Sequence, residues 1–171
     1  NRKKWTLSGW YKFGMSAQAQ AYWANMFFCG SNGTNYMEAG INNAGFMDWV
    51  QTTGGLNARR TTNRKFRDST GFYHFVFVWD SDNSTAADRM ILYVNGVRET
   101  SFEDTTLLAS GANNVQSNWN NTIEMKIGRV TTNTAAYFEG YMSHAAFVND
   151  AVVAPTVFGE TDSTSGIWKF K

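Results

Sequence analysis

Two short runs in this 171-residue chain set a tryptophan among acids and amides: Asp48-Trp49 and Asn118-Trp119-Asn120-Asn121. An indole face stacks on the apolar side of a pyranose while neighbouring Asn or Asp side chains bond its hydroxyls. Asp48, Trp49, Asn118, Trp119 and Asn120 are therefore the candidate sugar contacts, Trp119 first among them because it interrupts an otherwise polar stretch. The competing reading makes both indoles core or subunit-contact residues. Asp80-Ser81-Asp82-Asn83, followed by Asp88, gathers hard oxygen ligands between two apolar runs, the chemistry that calcium uses. Asp80, Asp82 and Asp88 are thus candidate metal ligands, although Asp and Asn also build turns by bonding their own backbone, and the spacing matches no defined calcium loop.

Covalent catalysis has little to work with. The only histidines are His74 and His144, and neither lies near a Gly-x-Ser-x-Gly turn or a cysteine in a triad-like setting. His74 alternates in phase with Val76 and Val78, which suits a satisfied core or interface histidine. Hydrolysis of a glycoside with retention needs two carboxylates about 5 to 5.5 Å apart. Glu99, Glu103 and Asp104 are the nearest grouping, and they read as a solvated strand end. Two His and one Cys at scattered positions make a weak case for zinc. The expectation is a protein that is not an enzyme and needs no cofactor, calcium being the one ion to consider.

Strands must position any such site. Phe72, Tyr73, Phe75, Phe77 and Trp79 lead to Asp80, and Met90-Ile91-Leu92-Tyr93-Val94 then reaches Asn95-Gly96. Asn-Gly between apolar runs is a strong hairpin signal, because a type I′ turn needs positive φ at both central residues. Both alternating faces of Phe72 to Trp79 are apolar, which predicts a strand covered on both sides. Trp5 to Phe13 places Trp5, Leu7, Gly9, Tyr11 and Phe13 on one face and Thr6, Ser8, Trp10 and Lys12 on a polar one. Further strands are predicted over Tyr22 to Cys29, Tyr36 to Ile41, Phe46 to Gln51, Leu56 to Arg60, Ile123 to Ile127 and Tyr137 to Val148. Gly140 marks a possible bulge in the last of these. Ser110 to Asn121 reads as a long loop, and Pro155 points to a turn or short helix in Val152 to Phe158. Nothing divides the chain, so the expectation is one all-β domain, an antiparallel sandwich over residues 1–171, or a fragment of a longer protein.

Composition narrows the partners. Fifteen basic and 14 acidic residues leave a net charge of +1, which favours neither nucleic acid nor a bilayer. No apolar run approaches the roughly 20 residues of a spanning helix. The first residue is Asn, and no leader-like segment precedes the first strand, as expected of a processed or excised piece. Cys29, within Met26-Phe27-Phe28-Cys29, reads as a buried, inert thiol. The three Asn-x-Thr/Ser triplets at Asn32, Asn83 and Asn120 matter only in a glycosylating host.

Arg2-Lys3-Lys4-Trp5-Thr6-Leu7-Ser8-Gly9-Trp10, Phe66-Arg67-Asp68 before Tyr73-His74-Phe75-Val76, Asp88 to Val97, and the closing Phe158-Gly159-Glu160-Thr161-Asp162 with Gly166-Ile167-Trp168-Lys169 carry a resemblance. Together they resemble a concanavalin A-like lectin/glucanase, or laminin-G-like jelly-roll, domain of bacteriophage virion proteins. That resemblance implies a jelly-roll sandwich on a virion surface, as a capsid decoration, fibre or appendage domain. It implies other virion proteins and host-surface glycans as partners, and symmetric homo-oligomers. Active glucanase relatives carry Glu-x-Asp-x-x-Glu or Glu-x-Asp-x-Glu, which this chain lacks, so a depolymerase stands second. An extracellular laminin-G-like adhesion domain of a cellular organism stands third. Met142-Ser143-His144-Ala145-Ala146 departs from the family, which usually has Leu-Ala-Glu after the Gly-Tyr.

Overall fold

The computed structural model describes residues 1–14, 23–103, 113–130 and 137–171. Its twelve strands are β1 (Lys4–Phe13), β2 (Ala24–Asn32), β3 (Asn35–Ile41), β4 (Phe46–Thr53), β5 (Leu56–Lys65), β6 (Tyr73–Asp80), β7 (Met90–Val94), β8 (Val97–Arg98), β9 (Met125–Ile127), β10 (Gly140–Asn149), β11 (Gly159–Thr161) and β12 (Trp168–Phe170). One five-stranded sheet runs β10-β1-β6-β7-β8 and the other β5-β4-β3-β2-β9, every pairing antiparallel, with β11 and β12 as a separate hairpin. The expected sandwich is present. Tyr22, Asp104, most of the start of the Ser110 loop and residues 131–136 lie outside the described residues.

Alternation along the strands builds the interior. Trp5, Leu7, Tyr11 and Phe13 of β1 and Phe75, Phe77 and Trp79 of β6 meet Phe27, Met37, Ile41 and Trp49 of the facing sheet in one buried cluster. Trp49 bridges the layers, its ring centroid 5.3 Å from Phe77 and 6.0 Å from Trp5. Burial of each such side chain contributes about 1.5 to 3 kcal/mol.

The other face of the first sheet is covered as well. The alternation of β6 puts His74, Val76 and Val78 there, and Val76 and Val78 pack with Ile91, Tyr93 and Phe158. The side of β1 predicted to be polar is dry: Thr6, Ser8 and Trp10 are buried. The C-terminal segment lies across it, with Thr6 Oγ1 donating to the Ala151 carbonyl and accepting from Val153 N–H.

The β7–β8 turn has φ 49° at Asn95 and 79° at Gly96, as the Asn-Gly pair predicted. A Cβ on Gly96 would come 2.5 Å from the Trp168 ring, so this glycine serves the turn and the packing of β12 at once. Pro155–Val157 forms the expected short helical turn, of 3₁₀ type. The bulge in β10 is not at Gly140. Ser8 pairs with Ala146 and Trp10 with Ser143, so His144 and Ala145 together oppose Gly9.

Candidate functional site

The predicted sugar contacts are not presented to solvent. Trp49 is fully buried between the sheets. Asp48, on the opposite face of β4, is also fully buried, its two oxygens accepting from Arg59 Nε (2.9 Å) and Nη2, with Thr61 Oγ1 donating at 3.0 Å. Trp119 is 4% exposed, its ring 4.9 Å from Phe27. Asn118 is buried too, its backbone N–H donating to Gln51 Oε1 and its Nδ2 to the Thr52 carbonyl. Trp5 Nε1 donates to Ser117 Oγ, which donates to the Trp119 carbonyl, so this stretch seals one end of the sandwich. Only Asn120 is partly open, and its Nδ2 donates to the Asn1 carbonyl and Asn149 Oδ1. Trp119 interrupts a polar loop because it plugs the core.

The acidic loop holds its three carboxylates in separate ion pairs. Asp80 faces Lys4 at 3.6 Å, Asp82 faces Lys3 at 3.2 Å and Asp88 faces Arg98 at 2.6 Å. Each carboxylate is balanced by a different cation, and among the described residues no three His, Cys, Asp or Glu side chains come together to hold a metal. Glu99 pairs with Arg64 at 3.0 Å.

His74 stacks on Trp10, ring centroids 4.7 Å apart, and lies edge to edge with the nearly parallel ring of Trp168, whose centroid is 6.0 Å away. Trp168 Nε1 lies 2.9 Å from His74 Nδ1, and Ser8 Oγ lies 2.8 Å from Nε2. An indole N–H can only donate, so Nδ1 is bare and the ring proton resides on Nε2, pointing at Ser8. The Ser-His pair is thus wired opposite to a nucleophile and its base, because the imidazole already donates where a base must accept. Burial pushes His74 down to about 4, keeping it neutral.

A second titrating group sits on the outer face of the other sheet. Glu38 of β3 is raised to about 7, first by burial and then by the charge of Asp48, with Arg59 opposing. Nothing in the spacing of Glu38 from Asp48 announces this coupling; it arises where β3 and β4 pair Gly40 with Asp48.

An open cleft lies elsewhere. A groove of about 420 Å³ runs between β1, β10 and β12, walled by Trp10, Phe72, Ile167, Trp168 and Phe170, with Ser143, His144 and Lys169 supplying polar groups. Phe72, Phe170 and Ile167 are 43%, 49% and 66% exposed. Three features build it. Trp168 is locked to His74 and lies on Gly96 and Gly159. The bulge turns His144 toward β12, where its ring stacks 3.6 Å from Phe170. Ser143 Oγ and His144 Nδ1 hydrogen bond at 2.6 Å. The sequence held one sign of this groove, a tryptophan, Trp10, on the polar side of β1.

Two antiparallel five-stranded layers around an aromatic interior define a lectin-like β-sandwich. The chain belongs to the concanavalin A-like lectin/glucanases superfamily, whose Laminin_G_3 family model matches residues 1–158. In structure it is similar to domain 4 of AbnA, a GH43 extracellular arabinanase from Geobacillus stearothermophilus, in complex with arabinotriose, at TM-score 0.56 and 13% identity. That match covers 85% of this chain, which spans 60% of the arabinanase chain. It is also similar to a native heptameric SAP-like pentraxin from Limulus polyphemus, at TM-score 0.51 and 13% identity over 91% of this chain and 68% of that one. No curated protein sequence matches it. Among the described residues no helix is long and apolar enough to cross a membrane.

Proposed function

We propose that this domain is a non-enzymatic glycan-adhering protein of a bacteriophage virion surface, a capsid decoration, fibre or appendage component, and that the groove beside β12 seats the sugar. The observation that carries the reading is the groove itself: exposed aromatic and aliphatic walls with Ser143 and His144 at one side suit a ring with an apolar face and hydroxyl edges. The solved arabinanase domain is in complex with arabinotriose, a precedent for sugar on this type of fold. The phage assignment rests on the closing Phe158 to Asp162 and Gly166 to Lys169 motifs. Weak single contacts become useful through repetition, since homo-oligomers displayed with other virion proteins on one particle convert each further contact into an intramolecular event.

Glycan-array binding by the domain, repeated with Phe170→Ala, tests the groove. The wild type should bind and the variant should lose at least tenfold in affinity. Labelling of native particles with an antibody to the domain tests the virion assignment, and antibody density away from particles would refute it. A depolymerase is the second reading, favoured by the coupling of Glu38 with Asp48. The hydrogen bonds from Arg59 and Thr61 leave Asp48 little freedom to attack a sugar carbon. Release of reducing ends from host polysaccharide would establish that reading instead.

A further inference from the structure

We infer that the groove selects neutral sugars over acidic ones and that His144 is the residue that recognises the hydroxyls, an inference resting on the proposal that the groove seats a glycan. Apart from histidine, Lys169 is the one ionisable side chain among the described residues that line the groove. Its Nζ is held 2.9 Å from Asp162 and 3.6 Å from Glu160, both on the same hairpin. A uronate or sialate carboxylate entering here would find that ammonium already balanced by two carboxylates, with no guanidinium fork among the lining residues to receive it. A neutral ring needs no such partner.

His144 has φ +49°, a left-handed conformation uncommon outside glycine, although histidine adopts it more readily than most residues. It sits in the bulge opposite Gly9, which delivers two consecutive side chains, Ser143 and His144, to the groove. Their mutual hydrogen bond occupies Nδ1 and leaves Nε2 for a ligand. Stacking on Phe170 fixes the ring plane, so a sugar hydroxyl meets a pre-oriented partner.

Calorimetric titration with neutral gluco-, galacto-, manno- and arabino-oligosaccharides and with oligogalacturonate of equal length tests this. At least one neutral series should bind at least tenfold more tightly than the uronate, with affinity unchanged between 50 and 500 mM salt, roughly a threefold span of Debye length. His144→Gly, which removes the backbone strain and so keeps the fold, should lose at least tenfold in affinity. His144→Asn, tolerant of the same φ and still able to donate and accept, should retain most of it. Tighter, salt-sensitive uronate binding that Phe170→Ala abolishes would overturn this inference while leaving the groove as the glycan seat. Full affinity in His144→Gly would overturn the role of His144. Binding of none of these sugars, or binding indifferent to Phe170→Ala, would remove the seat itself.

Discussion

Between pH 6.5 and 4.5 the stability of this protein should be nearly constant, because two buried groups titrate with opposite sign. His74 is held neutral in the fold at about 4 against an ordinary 6.5. As pH falls through that window the unfolded chain takes up the proton first, so His74 removes stability, fully present above 6.5 and spent by about 4. Glu38 is raised from 4.5 to about 7. The folded state takes up that proton first, so Glu38 returns stability as pH falls from about 7 to 4.5. At about 1.4 kcal/mol per pH unit each group is worth about 3 kcal/mol, and across their overlap the slopes cancel. Asp68 and Asp162 are held below the usual carboxylate range by hydrogen bonds from Thr70 and from Lys169 and Ser165, so they act only below about pH 4. Urea unfolding at half-unit pH steps and fixed ionic strength reads the balance. Glu38→Gln should expose the His74 limb, losing about 3 kcal/mol from pH 6.5 to 4, and His74→Gln should gain stability over the same acidification. A wild-type slope near one proton, or a flat Glu38→Gln profile, would refute the pairing of these two groups.

Further outcomes follow from the same contacts. Gly96→Ala should destabilise the fold by about 2 kcal/mol or more, since it strains a left-handed turn position and pushes a methyl into Trp168; thermal melts check it. Trp168→Phe removes the donor to His74 Nδ1 and should cost about 1 kcal/mol in denaturant unfolding. Asp48→Ala removes the buried acceptor of the Arg59 and Thr61 hydrogen bonds and should cost about 2 kcal/mol, read as a lower midpoint with unchanged slope. Cys29, driven up to about 12 by burial, should resist a thiol-specific reagent at pH 8 in the folded protein and react on unfolding.

Strand periodicity carried most of the fold. The Asn95-Gly96 turn, the doubly apolar Phe72 to Trp79 run and the strands over Tyr36 to Ile41 and Phe46 to Gln51 were legible because local rules and tertiary packing agree there. The site was not. Trp49 and Trp119 carry the residue type of a sugar platform, and only the facing sheet reveals that both are consumed by the core. Asp80, Asp82 and Asp88 cluster in sequence, yet their balancing cations come from residues 3, 4 and 98. The groove joins residues near 10, 72, 144 and 168. No spacing rule links those positions, and the bulge that turns His144 exists only in its register with β1.

The family match ends at residue 158, whereas Ile167, Trp168, Lys169 and Phe170 furnish one whole bank of the groove. That bank belongs to the separate β11-β12 hairpin and not to either five-stranded sheet. Exchanging the exposed Ile167 and Phe170 can consequently reshape the cleft while the layered interior stays untouched, much as interchangeable bits fit one handle.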